Sequence, residues 1–423
     1  MITTEALRTI LADQREEIES IDKNSLYARE EESSIDLESP LAQIVIGVRR
    51  SGKSTLCAKV LIQSGIIFAY VNFDDERMSM ITVDDLNTVL ESAYIVYGKF
   101  THLFLDEVQN VDGWHLFVNR LLRTGMHLVI TGSNAKLLSG ELATHLTGRC
   151  HTIELFPLSF SEFCLSMGIN THSDTTTARA AIKRTLLEYL EQGGFPELKH
   201  IKQPGRYTTE LKNAIISRDI LTRFQIRNPK SMHDLANLLI GQYCQEINTP
   251  AIAQELGIKS ITTISKYLSY LRQAYLILEI SRFSFKSKQR IGKSKAYLVD
   301  TGFATTEGQN GWRLENTIYI ELLRRSNRDD TEIYYYKNTD HRFEIDFVIS
   351  KRNVPIELIQ VSYDVSKPAT MQREVGGLIK ASKFLRCNNL TLITFDEKAQ
   401  LDVAGKSVTM ITAHEWLLGT KAR

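Results

Sequence analysis

The apolar run QIVIG at 43–47 leads directly into Gly47-Val48-Arg49-Arg50-Ser51-Gly52-Lys53-Ser54, and a helical stretch begins at Thr55-Leu56-Cys57. Few short patterns restrict a fold so tightly. The spacing GxxxxGK[ST] between a strand and a helix describes a loop whose glycines let the backbone curl around an anion. Successive N–H groups then face phosphate oxygens, and the helix N-terminus adds partial positive charge. From average residue frequencies such a match arises by accident in about one chain of this length in a hundred. The strand before it and the helix after it lower that chance further. Gly47, Val48, Arg49, Arg50, Ser51, Gly52, Lys53, Ser54 and Thr55 are therefore expected to cradle a triphosphate. Lys53 would reach the β- and γ-phosphates, and the Ser54 hydroxyl would bind Mg²⁺.

A phosphate loop requires a parallel sheet, and the sequence supplies one. Apolar runs recur as IIFAYVNF (66–73), HLFLDE (102–107), MHLVITG (126–132) and CHTIEL (150–155), with helical stretches between them. This alternation predicts an α/β fold, a P-loop NTPase parallel sheet covered on both faces. Asp106 and Glu107 close the run HLFLDE, at the sheet edge where ligands bind. Asp106 is expected to hold the Mg²⁺ shell, and Glu107 to orient and polarise the attacking water. The competing reading is a helix cap. Ser133 and Asn134 follow the fourth run. Asn134 is the expected γ-phosphate sensor and Ser133 the alternative, against plain turn chemistry. Arg149, just before the fifth run, suits an arginine finger on a neighbouring subunit's nucleotide; a surface ion pair is the competing reading.

The segments GVRRSGKST, FLDEVQN, ITGSNAKLLSGE, LTGR and ELFPLSFSEF resemble those of a large prokaryotic family of AAA+ ATPases. GGFPE (193–197), ISRDILTRF (216–224), LENTIYIEL (314–322) and FEIDFVI (343–349) continue the match over nearly the whole chain. The resemblance implies ATP as the nucleotide. It supports the sensor and arginine-finger roles more firmly than spacing does. It also implies a winged helix and a C-terminal restriction-endonuclease-like domain of unknown function, DUF4143-type.

The expected organisation is a helical strap at 1–40, an ATPase core at 41–156, a helical lid region at 157–232, a winged helix at 233–305, and an α/β restriction-endonuclease-like domain at 306–423. With 423 residues, two or three domains are expected. Formal net charge is +1, so any nucleic-acid surface must come from a local patch. One such patch is SRFSFKSKQRIGKSK (281–295), which follows a helix-turn-helix pattern at 249–275. Lys286, Lys288, Arg290, Lys293 and Lys295 are the candidate DNA contacts of a basic wing. The competing reading is a lid or protein contact with a solvated basic run. Five scattered cysteines exclude a CxxC motif and argue against a disulfide framework. With a polar, acidic N-terminus and no apolar run near 18 residues, the expectation is a cytoplasmic protein without a membrane span.

The C-terminal region carries Glu315, then Asp346, then Glu357, in the order of a metal-binding nuclease site. The lysine expected two residues after Glu357 is replaced by Ile359. In a shifted register, Gln360-Val361-Ser362 again lacks lysine, leaving Lys351 or Lys367 to substitute in space. Glu315, Asp346, Glu357 and Gln360 are therefore read as a degenerate nuclease site, in a domain serving binding or assembly; active metal-dependent cleavage is the competing reading.

Overall fold

The computed structural model describes residues 3–21, 27–133, 146, 148–173, 175–285, 293–305, 308–338, 340 and 343–419. Two compact units emerge: residues 1–155 with 273–275, and residues 156–272 with 276–423.

The first unit opens with α1 (Thr4–Glu19), capped by the Thr3 hydroxyl, which accepts from the Ala6 N–H. Leu7, Ile10, Leu11 and Ile18 recur at helical spacing and are all buried. Gln14, on the same face, donates to the Asn72 carbonyl and accepts from the Asn72 N–H. One amide side chain thus satisfies backbone groups on the edge of the sheet, which would otherwise stand open.

That sheet contains β1 (Ala42–Ile46), β2 (Phe68–Asn72), β3 (His102–Asp106), β4 (His127–Gly132) and β5 (Cys150–Glu154). Its order is β2-β3-β4-β1-β5, with every neighbouring pair parallel. The five expected strands are all present. Helices α2 (Lys53–Ser64), α3 (Leu86–Tyr97) and α4 (Trp114–Arg123) provide the crossovers. β1 and β3 are buried at every position, as strands covered on both faces must be. Leu56, Cys57, Ala58 and Leu61 of α2 pack with Val45, Phe104, Val129 and Ile153 of the sheet.

The second unit begins with helices α5 (Phe160–Ser166), α6 (Thr176–Gln192) and α7 (Pro204–Ala214), the last continued by a π-helix at Ile215–Thr222. Helices α8 (Pro229–Gly241), α9 (Thr249–Glu255) and α10 (Ile261–Gln273) follow. A hairpin of β6 (Ile277–Arg282) and β7 (Ser294–Leu298) comes next, then the long helix α11 (Asn310–Asp329). The chain closes with β8 (Glu332–Asn338), β9 (Phe343–Lys351), β10 (Val354–Ser362), α12 (Pro368–Leu385), β11 (Leu390–Thr394), β12 (Ala399–Val403), β13 (Lys406–Thr412) and α13 (Ala413–Leu417).

The expected boundary at 305/306 is not a boundary of the sheet. β6 pairs in parallel with β8, so the hairpin forms one edge of a single eight-stranded sheet, β12-β13-β11-β10-β9-β8-β6-β7. The strand pair expected as a wing is thereby built into the C-terminal core. Val375, Leu378, Ile379 and Leu385 of α12 close that core against Ile345, Val348 and Leu358. Among the described residues no helix is long and apolar enough to cross a membrane. All five cysteines are free thiols.

Candidate functional site

The loop between β1 and α2 has the backbone its glycines were expected to permit. Gly47 adopts φ +150°, and a Cβ there would lie 2.1 Å from the Leu155 carbonyl oxygen. Gly52 precedes α2 in the left-handed region at φ +96°. Val48 and Ser51 are fully buried, and the Ser51 hydroxyl has no partner. Thr55 is exposed on the first turn of α2. Arg49 pairs with Asp74 at 3.5 Å, and Arg50 takes a positive φ of 68°.

Lys53 is 4% exposed; its Nζ donates to the Val48 carbonyl at 3.1 Å and stands 3.7 Å from Glu107. The Ser54 hydroxyl donates to Asp106 at 2.8 Å. The ends of two separate strands thus converge on one spot, with β4 beside them. Asp106 also receives hydroxyls from Thr131 of β4 and Tyr70 of β2. Burial, with the neighbouring Glu107 charge, pushes the Asp106 carboxyl up to about 6, although these hydroxyls and Lys53 favour the ionised form. A carboxylate this burdened, beside a serine hydroxyl, is the hard oxygen set that Mg²⁺ takes.

Glu107 is held in the left-handed region at φ +52°, uncommon for a residue with a side chain. Its backbone N–H donates to the Thr131 hydroxyl, fixing it against β4. Its carboxylate accepts from the Gln109 amide and from the Ser133 N–H at 3.2 Å. Burial acts to raise the Glu107 carboxyl, but Lys53, Gln109, Arg49 and Ser133 together hold it below the usual range.

Ser133 therefore meets Glu107 through its backbone, while Asn134 lies outside the described residues. Arg149 is exposed at the N-terminal end of β5, where it donates to Asn119 at 3.3 Å. β5 runs parallel to β1, so Arg149 sits at the sheet edge opposite the phosphate loop of its own chain.

Four partners went unread in the sequence. Thr131, Tyr70 and Gln109 attend the two carboxylates, and Arg29 of the strap donates to the Ser51 carbonyl at 3.0 Å. Gln109 lies two residues from Glu107 and carried a local signal. The other three depend on sheet order or on long-range docking.

In the second unit the basic run divides. Lys286, Lys288 and Arg290 lie outside the described residues, and Lys293 is exposed. Lys295 is 4% exposed, and its ammonium lies 2.6 Å from Glu344, 3.4 Å from Glu315 and 4.0 Å from Asp346. It does not face solvent as a DNA contact must, because β7 turns it into the sheet interior. The degenerate nuclease set is also rearranged. Asp346 and Gln360 stay together, with the Val361 N–H donating to Asp346 at 2.9 Å. Glu357 leaves the group and accepts from Thr391 of β11 at 2.7 Å. Lys351 caps the Asp329 carbonyl, and Lys367 is exposed before α12, so neither supplies the missing lysine.

Comparison with known proteins adds a frame to these geometries. Residues 39–164 match an AAA domain, 183–311 a domain of unknown function (DUF8612), and 310–412 a second one (DUF4143). An uncharacterized protein of Methanocaldococcus jannaschii, MJ1544, is 35% identical over 89% of this chain and 88% of its own length. An uncharacterized protein of Haemophilus influenzae is 30% identical over 78% of this chain and 84% of its own. Among solved structures, the Walker-type ATPase of Pyrococcus abyssi is similar at a TM-score of 0.43 and 15% identity, over 66% of this chain and 95% of that one.

Proposed function

The chain belongs to the family of AAA-domain proteins with a DUF4143 C-terminal region, and from that premise we propose that it binds and hydrolyses ATP. The observation that carries this reading is the convergence of Lys53 and Ser54 with Asp106 and Glu107 at one sheet edge. Loop 47–55 would wrap the phosphates, with Lys53 exchanging its hold on Val48 and Glu107 for γ-phosphate oxygens. Ser54 and Asp106 would hold Mg²⁺, whose charge offsets that developing on the β- and γ-oxygens. Tyr70 and Thr131 keep the Asp106 carboxylate oriented. Glu107, anchored through its N–H to Thr131, would turn its carboxylate to the attacking water. Asn134 would sense the γ-phosphate.

Since Arg149 lies at the far edge of its own sheet, a finger role requires a second subunit, and we read the active form as a homo-oligomer. Hydrolysis would drive rearrangement of a partner. Exposed Lys293 and the basic run around it make DNA the first partner to test, and a protein partner the second. A nucleotide-gated switch with very slow turnover is favoured by one observation: the Glu107 carboxylate is already engaged by Lys53, Gln109 and Ser133.

Phosphate release and nucleotide binding, measured with and without DNA across salt concentrations, test these readings. Lys53→Ala should abolish ATP binding. Glu107→Gln should bind ATP while losing about 100-fold or more in turnover, as loss of a group acting at the transition state does. Unchanged phosphate release in either variant refutes the assignment. Turnover that stays slow under every condition supports the switch.

A further inference from the structure

The buried cluster around Lys295 belongs to no part of the nucleotide site. Lys295 comes from β7, Glu315 from α11, and Glu344 and Asp346 from β9. The Tyr297 hydroxyl donates to Glu315 at 2.7 Å, and Lys337 reaches the second Glu344 oxygen at 3.4 Å. Lys337 also pairs with Glu246, which accepts from the Tyr335 hydroxyl at 3.0 Å. An ammonium that deep in protein is strongly unfavourable unless paired. Here one faces three carboxylates that come from two other elements.

We propose that the Lys295 ammonium is the resident cation of this carboxylate cluster, locking the β6–β7 hairpin onto the C-terminal sheet and taking the place that a divalent metal would need. The distances support an ammonium: 2.6, 3.4 and 4.0 Å are hydrogen-bonding and ion-pairing lengths around one Nζ. Magnesium requires oxygens at about 2.1 Å in a strict octahedron. Among the described residues no group of three acidic, histidine or cysteine side chains is spaced to hold a metal ion. Burial and the Glu315 charge push the Asp346 carboxyl well above its usual range. Burial disfavours the Lys295 charge, but Glu315, Asp346 and Glu344 outweigh that and hold its pKa above the usual value. The Lys295 and Lys337 ammonium groups are shared among Glu315, Glu344, Asp346 and Glu246.

The lysine missing after Glu357 is thus replaced by one that enters from another strand, and it sits among the acids instead of beside them. An acid trio whose cation is covalently attached has no vacancy for Mg²⁺, so the domain is fastened rather than armed.

Two measurements on the full-length, nucleotide-free protein test this. The first titrates Mn²⁺, the probe ion, and counts free Mn²⁺ by electron paramagnetic resonance for wild type and Asp346→Asn. Both should show the same Mn²⁺ binding, with no site that depends on Asp346. A wild-type site that Asp346→Asn removes overturns the proposal, and this arm needs no lysine variant to fold. The second is a double-mutant cycle in denaturant. Lys295→Met leaves an uncompensated buried charge and should raise the unfolding constant of the second unit by about 100-fold or more. Adding Glu315→Gln, which removes that charge while keeping an acceptor for Tyr297, should recover about tenfold or more. Strictly additive losses overturn the lock. Should Lys295→Met fail to fold alone, folding of the double variant supports the lock and its failure counts against it.

Discussion

Asp106→Asn should make the nucleotide-free protein more stable at neutral and alkaline pH, at the expense of its function. In the folded chain burial and the Glu107 charge push the Asp106 carboxyl up to about 6, against 3.8 for the ordinary group. An acid with a raised folded pKa makes the native state bind more protons than the unfolded state across that window. Unfolding free energy therefore falls as pH rises through it. At about 1.4 kcal/mol per unit, the penalty is absent well below pH 4, about half developed near pH 5, and about 3 kcal/mol by pH 8. Asparagine removes the ionisation, and the hydroxyls of Ser54, Thr131 and Tyr70 can reorient around its amide. For a unit of this size about 3 kcal/mol corresponds to a rise of roughly 6–12 °C in Tm. Calorimetry at pH 8 and pH 5 should show the larger gain at pH 8. With Mg²⁺ and ATP the ranking should invert, because only wild type can bind the ion tightly and gain from linkage. An Asn variant that is no more stable at pH 8, or is stabilised equally at both pH values, would refute the reasoning.

Two further outcomes follow from geometry. Gly47→Ala drives a Cβ to 2.1 Å from the Leu155 carbonyl in a backbone region that alanine rarely adopts. It should cost about 2–4 kcal/mol in denaturant unfolding and abolish nucleotide binding, and wild-type behaviour would contradict the described loop. Mixing Arg149→Ala with Glu107→Gln subunits should restore part of the ATPase activity that each lacks. No recovery at any ratio would eliminate a finger acting across subunits.

The convergence of Lys53 and Ser54 with Asp106 and Glu107 was largely legible because these parts are local. Glycines, lysine and serine occupy consecutive positions, and Asp106 and Glu107 end a strand whose apolar run announces it. The supporting hydroxyls were not legible. Thr131 and Tyr70 meet Asp106 only because β4 and β2 flank β3, and a single sequence does not state strand order. The same limit explains Lys295. Its neighbours in sequence are basic, so the run looked like a solvated wing; the acids that claim it arrive 20 to 51 residues later. Glu357 fits the acid spacing of a nuclease motif, yet its side chain bonds to Thr391, leaving Gln360 beside Asp346.

The continuity of the eight-stranded sheet also has a consequence for biosynthesis. On the ribosome, β6 and β7 emerge as a pair whose outer edge must wait for β8, some fifty residues behind, since Ser281 and Arg282 lie against Tyr334 and Tyr335. Until then an unsatisfied ladder and an unescorted ammonium coexist in the nascent polypeptide. The middle of this protein therefore cannot mature on its own schedule; its last quarter acts as a template for a segment made earlier, and a ribosome stalled near residue 305 would release a fragment with adhesive strands.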